Sequence, residues 1–283
     1  MRVNKEWNDY KVIATSCGEK LERWGDYHLL RPDPQVIWNT NKRLDKLVKL
    51  NAHYLRESTG GGHWNIITHL PEEWTVCWRD LKFLIKPMGF KHTGLFPEQA
   101  TNWDMMIDLV KKSNREIKVL NLFAYTGGAT VALTSAGAVV THVDAAKGMV
   151  ERAKQNMKLS GFENKPVRYI VDDCKKFVER EIKRGKKYDA ILMDPPSYGR
   201  GPSGELWKIE DSLFEFVNLC KQVLSDNPLF FLINSYTTGL QPIVLSNILK
   251  LVFGEKGVEA YEVGLPTDEN IVLPCGASGV KIW

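Results

Sequence analysis

The chain has 283 residues, of which 43% are hydrophobic and 25% charged, and a net charge of +4. That length suits one sizeable α/β domain with a smaller attachment. No apolar run nears the ~20 residues of a membrane helix, the opening MRVNKEWNDYKV lacks a secretory apolar stretch, and cytoplasm is the expected location.

The charge is unevenly placed. Residues 1–91 hold 15 Lys and Arg against 11 Asp and Glu, whereas residues 92–283 hold 23 of each. An N-terminal surplus suits contact with an anionic partner such as RNA, and equally an ordinary solvated surface. In this part YKVIATS (10–16), YHLLRP (27–32), WNIITHL (64–70) and LKFLIKP (81–87) read as strands. NKRLDKLVKLNAHYL (41–55) reads as a helix, and GGGH (60–63) as a loop. Residues 1–84 are therefore expected to form a small α+β or β-rich domain, with most of the nine tryptophans available to its core.

From 85 to 283 the pattern changes to α/β. Apolar runs at 117–123, 138–144, 167–172, 188–194 and 229–234 alternate with helical segments near Ala129 and at 147–161, 175–185, 210–224 and 240–253. Gly161 and Gly185 stand where helices end. VEAYEV (258–263) and SGVKIW (278–283) follow with no helix between them, so they should pair antiparallel. The expectation is a doubly wound, mostly parallel seven-stranded sheet with an antiparallel last strand.

Four strand ends carry chemical residues. NLFAYTGG (121–128) runs from a strand into a helix, where glycines let backbone approach a ligand and the helix N-terminus favours a carboxylate. A plain tight turn fits it as well. It lacks the GxGxxG of dinucleotide sites and the Gly-Lys-Ser/Thr of a phosphate loop. Asp144 can accept the hydroxyls of a ribose or cap the next helix. Asp172 and Asp173 can accept an adenine amine, with Cys174 lending its backbone N–H, or can cap a helix themselves. The sharpest signal is YDAILMDPPS, in which Pro195 and Pro196 stiffen the turn that presents Asp194 and Ser197 at the carboxyl edge of the sheet.

Taken together in this order, the segments resemble class I S-adenosylmethionine-dependent methyltransferases, and NLFAYTGG with DPPS is most similar to the bacterial large-subunit rRNA methyltransferase family. The resemblance covers residues 85–283 and implies S-adenosyl-L-methionine as methyl donor. It implies that Phe123, Tyr125, Thr126 and Gly127 hold the methionine part, Asp144 and Ala145 the ribose, and Asp173 and Cys174 the adenine. Asp194, Pro195, Pro196 and Ser197 would line the methyl-transfer site, with Asp194 also near the donor. HTGLFPEQ (92–99) resembles the family's lid strand and loop and brings in Thr93 and Phe96; PEQ stands where an Asp and an Arg are more usual.

No cysteine follows the fourth or fifth strand, where enzymes that methylate C5 of a pyrimidine keep their nucleophile. Cys220 lies in a helical pattern and reads as core. The expected reaction is direct methyl transfer to a base nitrogen of RNA, probed against two alternatives: a protein or small-molecule substrate, and a non-catalytic RNA-binding relative. Arg200 and Lys208 can meet phosphates, while Tyr198 or Trp207 can stack on an unpaired base or simply pack on the domain. The five cysteines form no CxxC pair and the six histidines no HExxH motif, so neither a disulfide framework nor a metal site is expected.

Overall fold

The computed structural model describes residues 1–57, 61–89, 91–200, 204 and 206–283, with Arg200 described by its backbone alone. The chain divides into two compact units. One comprises Arg2–Ala100 with Gly264–Cys275, the other Thr101–Val263 with Gly276–Trp283 and Met1. The division thus falls sixteen residues beyond the expected 84/85 boundary, and a segment near the C-terminus counts with the first unit.

The N-terminal unit is β-rich. It contains β1 (Arg2–Val3), β2 (Tyr10–Ser16), β3 (Glu19–Trp24), β4 (Tyr27–Pro32), a one-turn helix α1 (Leu44–Leu47), β5 (Ala52–Arg56), β6 (Gly62–Ile66), β7 (Trp74–Trp78) and β8 (Leu81–Ile85). Strands β2 to β6 form a five-stranded sheet in chain order, and β7 pairs with β8 as a separate hairpin. Fully buried Leu21, Trp24, Leu29, Trp78 and Phe83 fill the unit.

The expected helix over 41–55 is only a single turn. Leu44, Leu47 and Leu50 do recur every three residues, as on a helix, but Leu44 and Leu50 pack in one cluster with Ala14, Leu21 and Leu30. Asn51 then fixes a turn, its Oδ1 accepting from His28 N and its Nδ2 donating to His69 O. Beyond it Ala52–Arg56 alternates buried and half-buried residues, which is a strand period. Part of the expected GGGH loop is strand as well: Gly62 and His63 open β6, while Gly60 lies outside the described residues. The strand expected over 64–70 ends at Ile66.

In the second unit α2 (Ala100–Lys112) precedes an alternation of β9 (Lys118–Leu122), α3 (Gly128–Ser135), β10 (Val139–Asp144), α4 (Lys147–Leu159), β11 (Val167–Val171), α5 (Cys174–Lys183) and β12 (Ala190–Met193). A short hairpin, β13 (Tyr198–Arg200) and β14 (Leu206–Lys208), leads into α6 (Ile209–Lys221), β15 (Phe230–Ser235), α7 (Pro242–Phe253), β16 (Val258–Pro266) and β17 (Val272–Ile282). Gly161 and Gly185 take positive φ just past α4 and α5, as expected of helix ends. The last two strands run further than their sequences suggested, leaving only 267–271 as the turn.

The sheet has eight strands in the order β1-β16-β17-β15-β12-β9-β10-β11, one more than expected because the two-residue β1 adds to its edge. The pairings from β15 to β11 are parallel, and β17 is antiparallel to β15. Winding runs outward from β9 to β11, then returns to place β12 on the other flank of β9. Right-handed crossovers then put α3 and α4 on one face and the later helices on the other. The apolar cluster of Phe177, Val217, Phe231 and Leu249 joins α5, α6 and α7 to the sheet on that second face. The reversal between β9 and β12 is a topological switch point, where open α/β sheets bind ligands beyond their carboxyl ends.

Candidate functional site

The strand ends at this reversal are level with one another. Leu122 pairs in register with Val143 on one side and Met193 on the other, and Asp144 pairs with Val171. The residues that follow are therefore delivered to one edge: the 123–127 loop, Asp144, Asp172 and Asp173, and the Asp194 turn. Bonds across the ends reinforce this, with Ala124 N donating to Val143 O at 3.0 Å and Asp172 N to Asp144 O at 3.1 Å.

The 123–127 loop has an unusual backbone. Phe123 (φ 54°), Tyr125 (φ 50°) and Gly127 (φ 78°) are all left-handed, a region that aromatic residues enter only when surroundings impose it. Phe123 N donates to Cys174 Sγ at 3.3 Å, Tyr125 N to Asp144 Oδ2 at 2.8 Å, and buried Asn156 donates to Thr126 O at 2.8 Å. The glycine at 127 is explained by packing: a Cβ there would lie 2.8 Å from Ala153 Cβ of α4. Thr126 is buried, and Phe123 and Tyr125 are half-buried.

Asp144 is half-buried, and both its oxygens accept backbone N–H groups, from Tyr125 and from Ala146 at 2.8 Å each. Burial pushes its carboxyl up, and the two N–H groups pull it back. Each oxygen keeps further acceptor capacity. Ala145, exposed between Asp144 and α4, offers backbone only.

The two candidates after β11 divide their work. Asp172 is committed to its neighbourhood, accepting Asp173 N at 2.9 Å and pairing with Arg180. Asp173 caps α5, Oδ1 accepting Lys176 N at 2.9 Å, which leaves Oδ2 for a ligand. It also lines a cavity of about 570 Å³ with Lys176, Trp207, Asp211, Glu215 and Phe216. Cys174 opens α5, so its N–H is among the first-turn donors without an intrahelical acceptor. Its thiol is buried in the core, and burial raises its pKa.

At the Asp194 turn Pro195 is buried and Pro196 and Ser197 are exposed. Ser197 Oγ and Thr237 Oγ1 lie 2.7 Å apart, and Trp207 Nε1 donates to Pro196 O at 2.7 Å. The Trp207 ring packs against Phe123 and Phe216, with centroids 5.3 and 5.6 Å away. Of the two uses foreseen for Trp207, the structure supports packing; Tyr198 is 55% exposed. The Arg200 side chain lies outside the described residues.

Thr93 and Phe96 belong to the N-terminal unit. Thr93 is fully buried, its carbonyl accepting Lys86 N at 3.0 Å and its hydroxyl without a partner among the described residues. Phe96 meets His92 edge-on at 5.4 Å, and Pro97–Gln99 form a 3₁₀ turn with Glu98 buried. Two side chains that sequence reasoning passed over are Asn156, under Thr126, and Asn234, whose Nδ2 donates to Asp194 Oδ1 at 3.0 Å. Asn234 was detectable as the first polar residue after a buried apolar run in β15.

This donor set matches the groups of S-adenosylmethionine. A held carboxylate with spare lone pairs suits a ribose diol, an uncommitted oxygen of Asp173 suits an exocyclic amine, and the start of α3 suits a carboxylate. No group of three or more metal-ligating side chains occurs among the described residues, and no described helix is long and apolar enough to cross a membrane.

Comparison with known proteins agrees with this geometry. The family model for S-adenosylmethionine-dependent methyltransferases matches residues 27–216. A SAM-dependent methyltransferase from Agrobacterium tumefaciens superposes with a TM-score of 0.92 at 32% identity, covering 99% of this chain and 92% of that one. The ribosomal RNA large subunit methyltransferase K/L of Shewanella frigidimarina is 31% identical over 148 residues, 52% of this chain and 20% of that protein. Ribosomal RNA large subunit methyltransferase I of Klebsiella pneumoniae is 31% identical over 119 residues, 42% of this chain. These alignments span only a fifth and 29% of the two curated relatives. With more than half its length matched by the family model, the chain belongs to the S-adenosylmethionine-dependent methyltransferases.

Proposed function

We propose that the protein methylates RNA, in the large ribosomal subunit, at a base nitrogen and by direct in-line transfer, working where that RNA is found in the cytoplasm. The observation that carries the chemistry is the level edge formed by the 123–127 loop, Asp144, Asp173 and Asp194 at the switch point. The RNA substrate is supported by the similarity to ribosomal RNA large subunit methyltransferases K/L and I. Charge supports it less. Several cations of the N-terminal unit are engaged by carboxylates of the same unit, including Lys11 with Asp268, Lys42 with Glu269 and Arg43 with Asp45. That unit is nonetheless the part of the chain that faces the substrate in this proposal.

Bound S-adenosylmethionine supplies an electrophilic methyl group. The chain's own part is positional. Phe123, Tyr125, Thr126 and Gly127 hold the methionine portion, Asp144 with Ala145 the ribose, and Asp173 with the Cys174 N–H the adenine. Asp194 accepts a hydrogen bond from the acceptor nitrogen or takes up its proton, while Pro195, Pro196 and Ser197 fix the turn. Asp144→Ala is expected to weaken S-adenosylhomocysteine binding by about 1.5 to 3 kcal/mol, the range for hydrogen bonds to a charged group. Calorimetry giving wild-type affinity would remove Asp144 from the site.

A covalent route through a pyrimidine adduct needs an accessible thiolate. Cys220 is fully buried in α6 and burial raises its pKa, as it does for Cys174. RNA carrying 5-fluoropyrimidines is therefore expected to leave no denaturation-resistant complex, and Cys220→Ser to retain activity. A trapped adduct, or a folded but inactive Cys220→Ser protein, contradicts nitrogen transfer.

A further inference from the structure

Asp194 is the end of a buried chain of hydrogen bonds that runs across β15 and β17 to α2. Asn234 Nδ2 donates to Asp194 Oδ1 at 3.0 Å. The Asn234 oxygen is already engaged, accepting from Ser278 Oγ at 2.8 Å, and the two residues are direct partners in the antiparallel β15–β17 register. Ser278 Oγ itself accepts from Asn102 Nδ2 at 3.0 Å, and Asn102 Oδ1 accepts from Tyr261 OH at 2.8 Å. Asn102 and Ser278 are fully buried and Asn234 is 2% exposed.

The order of donors in this chain is set at its Asp194 end, where an ionised carboxylate can only accept and so requires the Asn234 NH₂. The Asn234 oxygen then takes the single proton of Ser278, whose own oxygen accepts from the Asn102 NH₂. Asn102 is left with its carbonyl to accept from Tyr261. Flipping Asn234 would set a carbonyl against a carboxylate and strand the Ser278 proton in the core, where an unmade bond is costly. Residues 230–233 of β15 are Phe, Phe, Leu and Ile, and the strand turns polar one step beyond the Met193–Ile233 pair, where it comes level with Asp194.

We propose that Asn234 is a positioning residue for methyl transfer: it holds one oxygen of the Asp194 carboxylate, and the Ser278–Asn102–Tyr261 chain holds Asn234. The proposal rests on the reading that Asp194 meets the acceptor nitrogen. Asn234 acts through Asp194, since a carboxylate pinned at one oxygen keeps a single orientation toward the acceptor without paying for it at the moment of reaction.

Asn234→Asp tests this directly, because it sets a second carboxylate where the donor stood. Two carboxylates at such a distance share one proton, and the protonated partner then donates much as the amide did. Ser278→Ala is the second variant; it removes the hydroxyl that orients Asn234 but leaves Asp194 and Asn234 in place. The full-length protein is assayed for S-adenosylhomocysteine binding by calorimetry. Methyl incorporation from labelled S-adenosylmethionine is measured with RNA from cells lacking the protein, and thermal melts are recorded, both between pH 5.5 and 8.5.

Both variants are expected to bind S-adenosylhomocysteine within about threefold of wild type and to lose about 10-fold or more in kcat at pH 8, the scale of a misplaced catalytic group. The Asn234→Asp rate relative to wild type should rise as the pH falls, and its melting deficit should shrink over the same range. Ser278→Ala should show a deficit that does not depend on pH. A folded Asn234→Asp protein whose relative rate and melting deficit are both flat with pH overturns the proposal. If the wild-type protein transfers no methyl to this RNA, the functional reading fails, and the pH dependence of the melts alone decides whether Asn234 holds Asp194.

Discussion

Replacing Asp194 with alanine is expected to lower turnover by about 10²- to 10³-fold, within the range for a positioned acid or base, and to leave S-adenosylhomocysteine affinity within about threefold of wild type. The reasoning starts from place. Asp194 follows Met193, which pairs with Leu122 at the switch point, and two prolines prevent the strand from continuing. Its carboxylate is held by Asn234 from behind, while the loop, ribose and adenine contacts proposed for the cofactor come mainly from 123–127, Asp144 and Asp173. An interaction made chiefly with the acceptor in the transition state appears in kcat and not in cofactor binding. Loss of affinity in parallel with turnover would instead make Asp194 a cofactor ligand.

The second large effect is on stability. In the N-terminal unit Arg31 makes two bonds to Glu22, Nε to Oε2 at 2.6 Å and Nη2 to Oε1 at 2.7 Å. Tyr10 OH adds a third at 2.8 Å, and Arg31 Nη1 also holds Lys91 O at 2.8 Å. Glu22 is fully buried, and burial works against its charge. The Arg31 and Lys20 charges outweigh that and bring its pKa down to about 2.

Arg31→Leu removes the main counter-charge and leaves a carboxylate in the core, which typically costs about 3 to 5 kcal/mol. A fall in melting temperature on the order of 10 °C follows for a chain of this size. Tryptophan fluorescence reports it, since Trp24 and Trp78 are fully buried in the same unit. The pH dependence has a definite sign. Because the folded pKa lies below the ordinary 4.5, the wild-type pair contributes stability above about pH 4.5 and loses it as the pH falls toward 2. The gap between wild type and Arg31→Leu should therefore narrow over that window. A gap that is small at pH 7, or constant down to pH 3, would mean that the pair does not stabilise the unit.

The sequence was most legible where one periodicity ruled. The central parallel strands β9, β12 and β15 are largely buried and read as mostly apolar runs, and α3, α4 and α5 are followed by glycines that take positive φ. The N-terminal unit was harder to read because local and tertiary signals disagree there. Leu44, Leu47 and Leu50 imitate a helix, yet long-range packing and the Asn51 turn stop it after one turn. Strand β3 escaped notice because EKLERW carries Glu22, the partner of Arg31, inside the core, against the usual pattern of charged residues outward.

At the site, the aspartates were visible as residue types at strand ends. What the sequence could not supply was their partners: that Asp172 is spent on Arg180, that Asp173 keeps an oxygen available, and that Asn234 reaches Asp194 from 40 residues away. Gly127 shows the same limit from another side. A glycine in a loop before a helix suggested room for a ligand, and the structure assigns its missing Cβ to the close approach of Ala153.

The central claim is most directly tested by mass spectrometry of nucleosides from ribosomal RNA of cells with and without the protein. The account predicts that one nucleoside methylated on a base nitrogen disappears with the protein and returns when it is restored, but not when Asp194→Ala is supplied instead. An unchanged nucleoside inventory, or the loss of a C5-methylated pyrimidine, would contradict it.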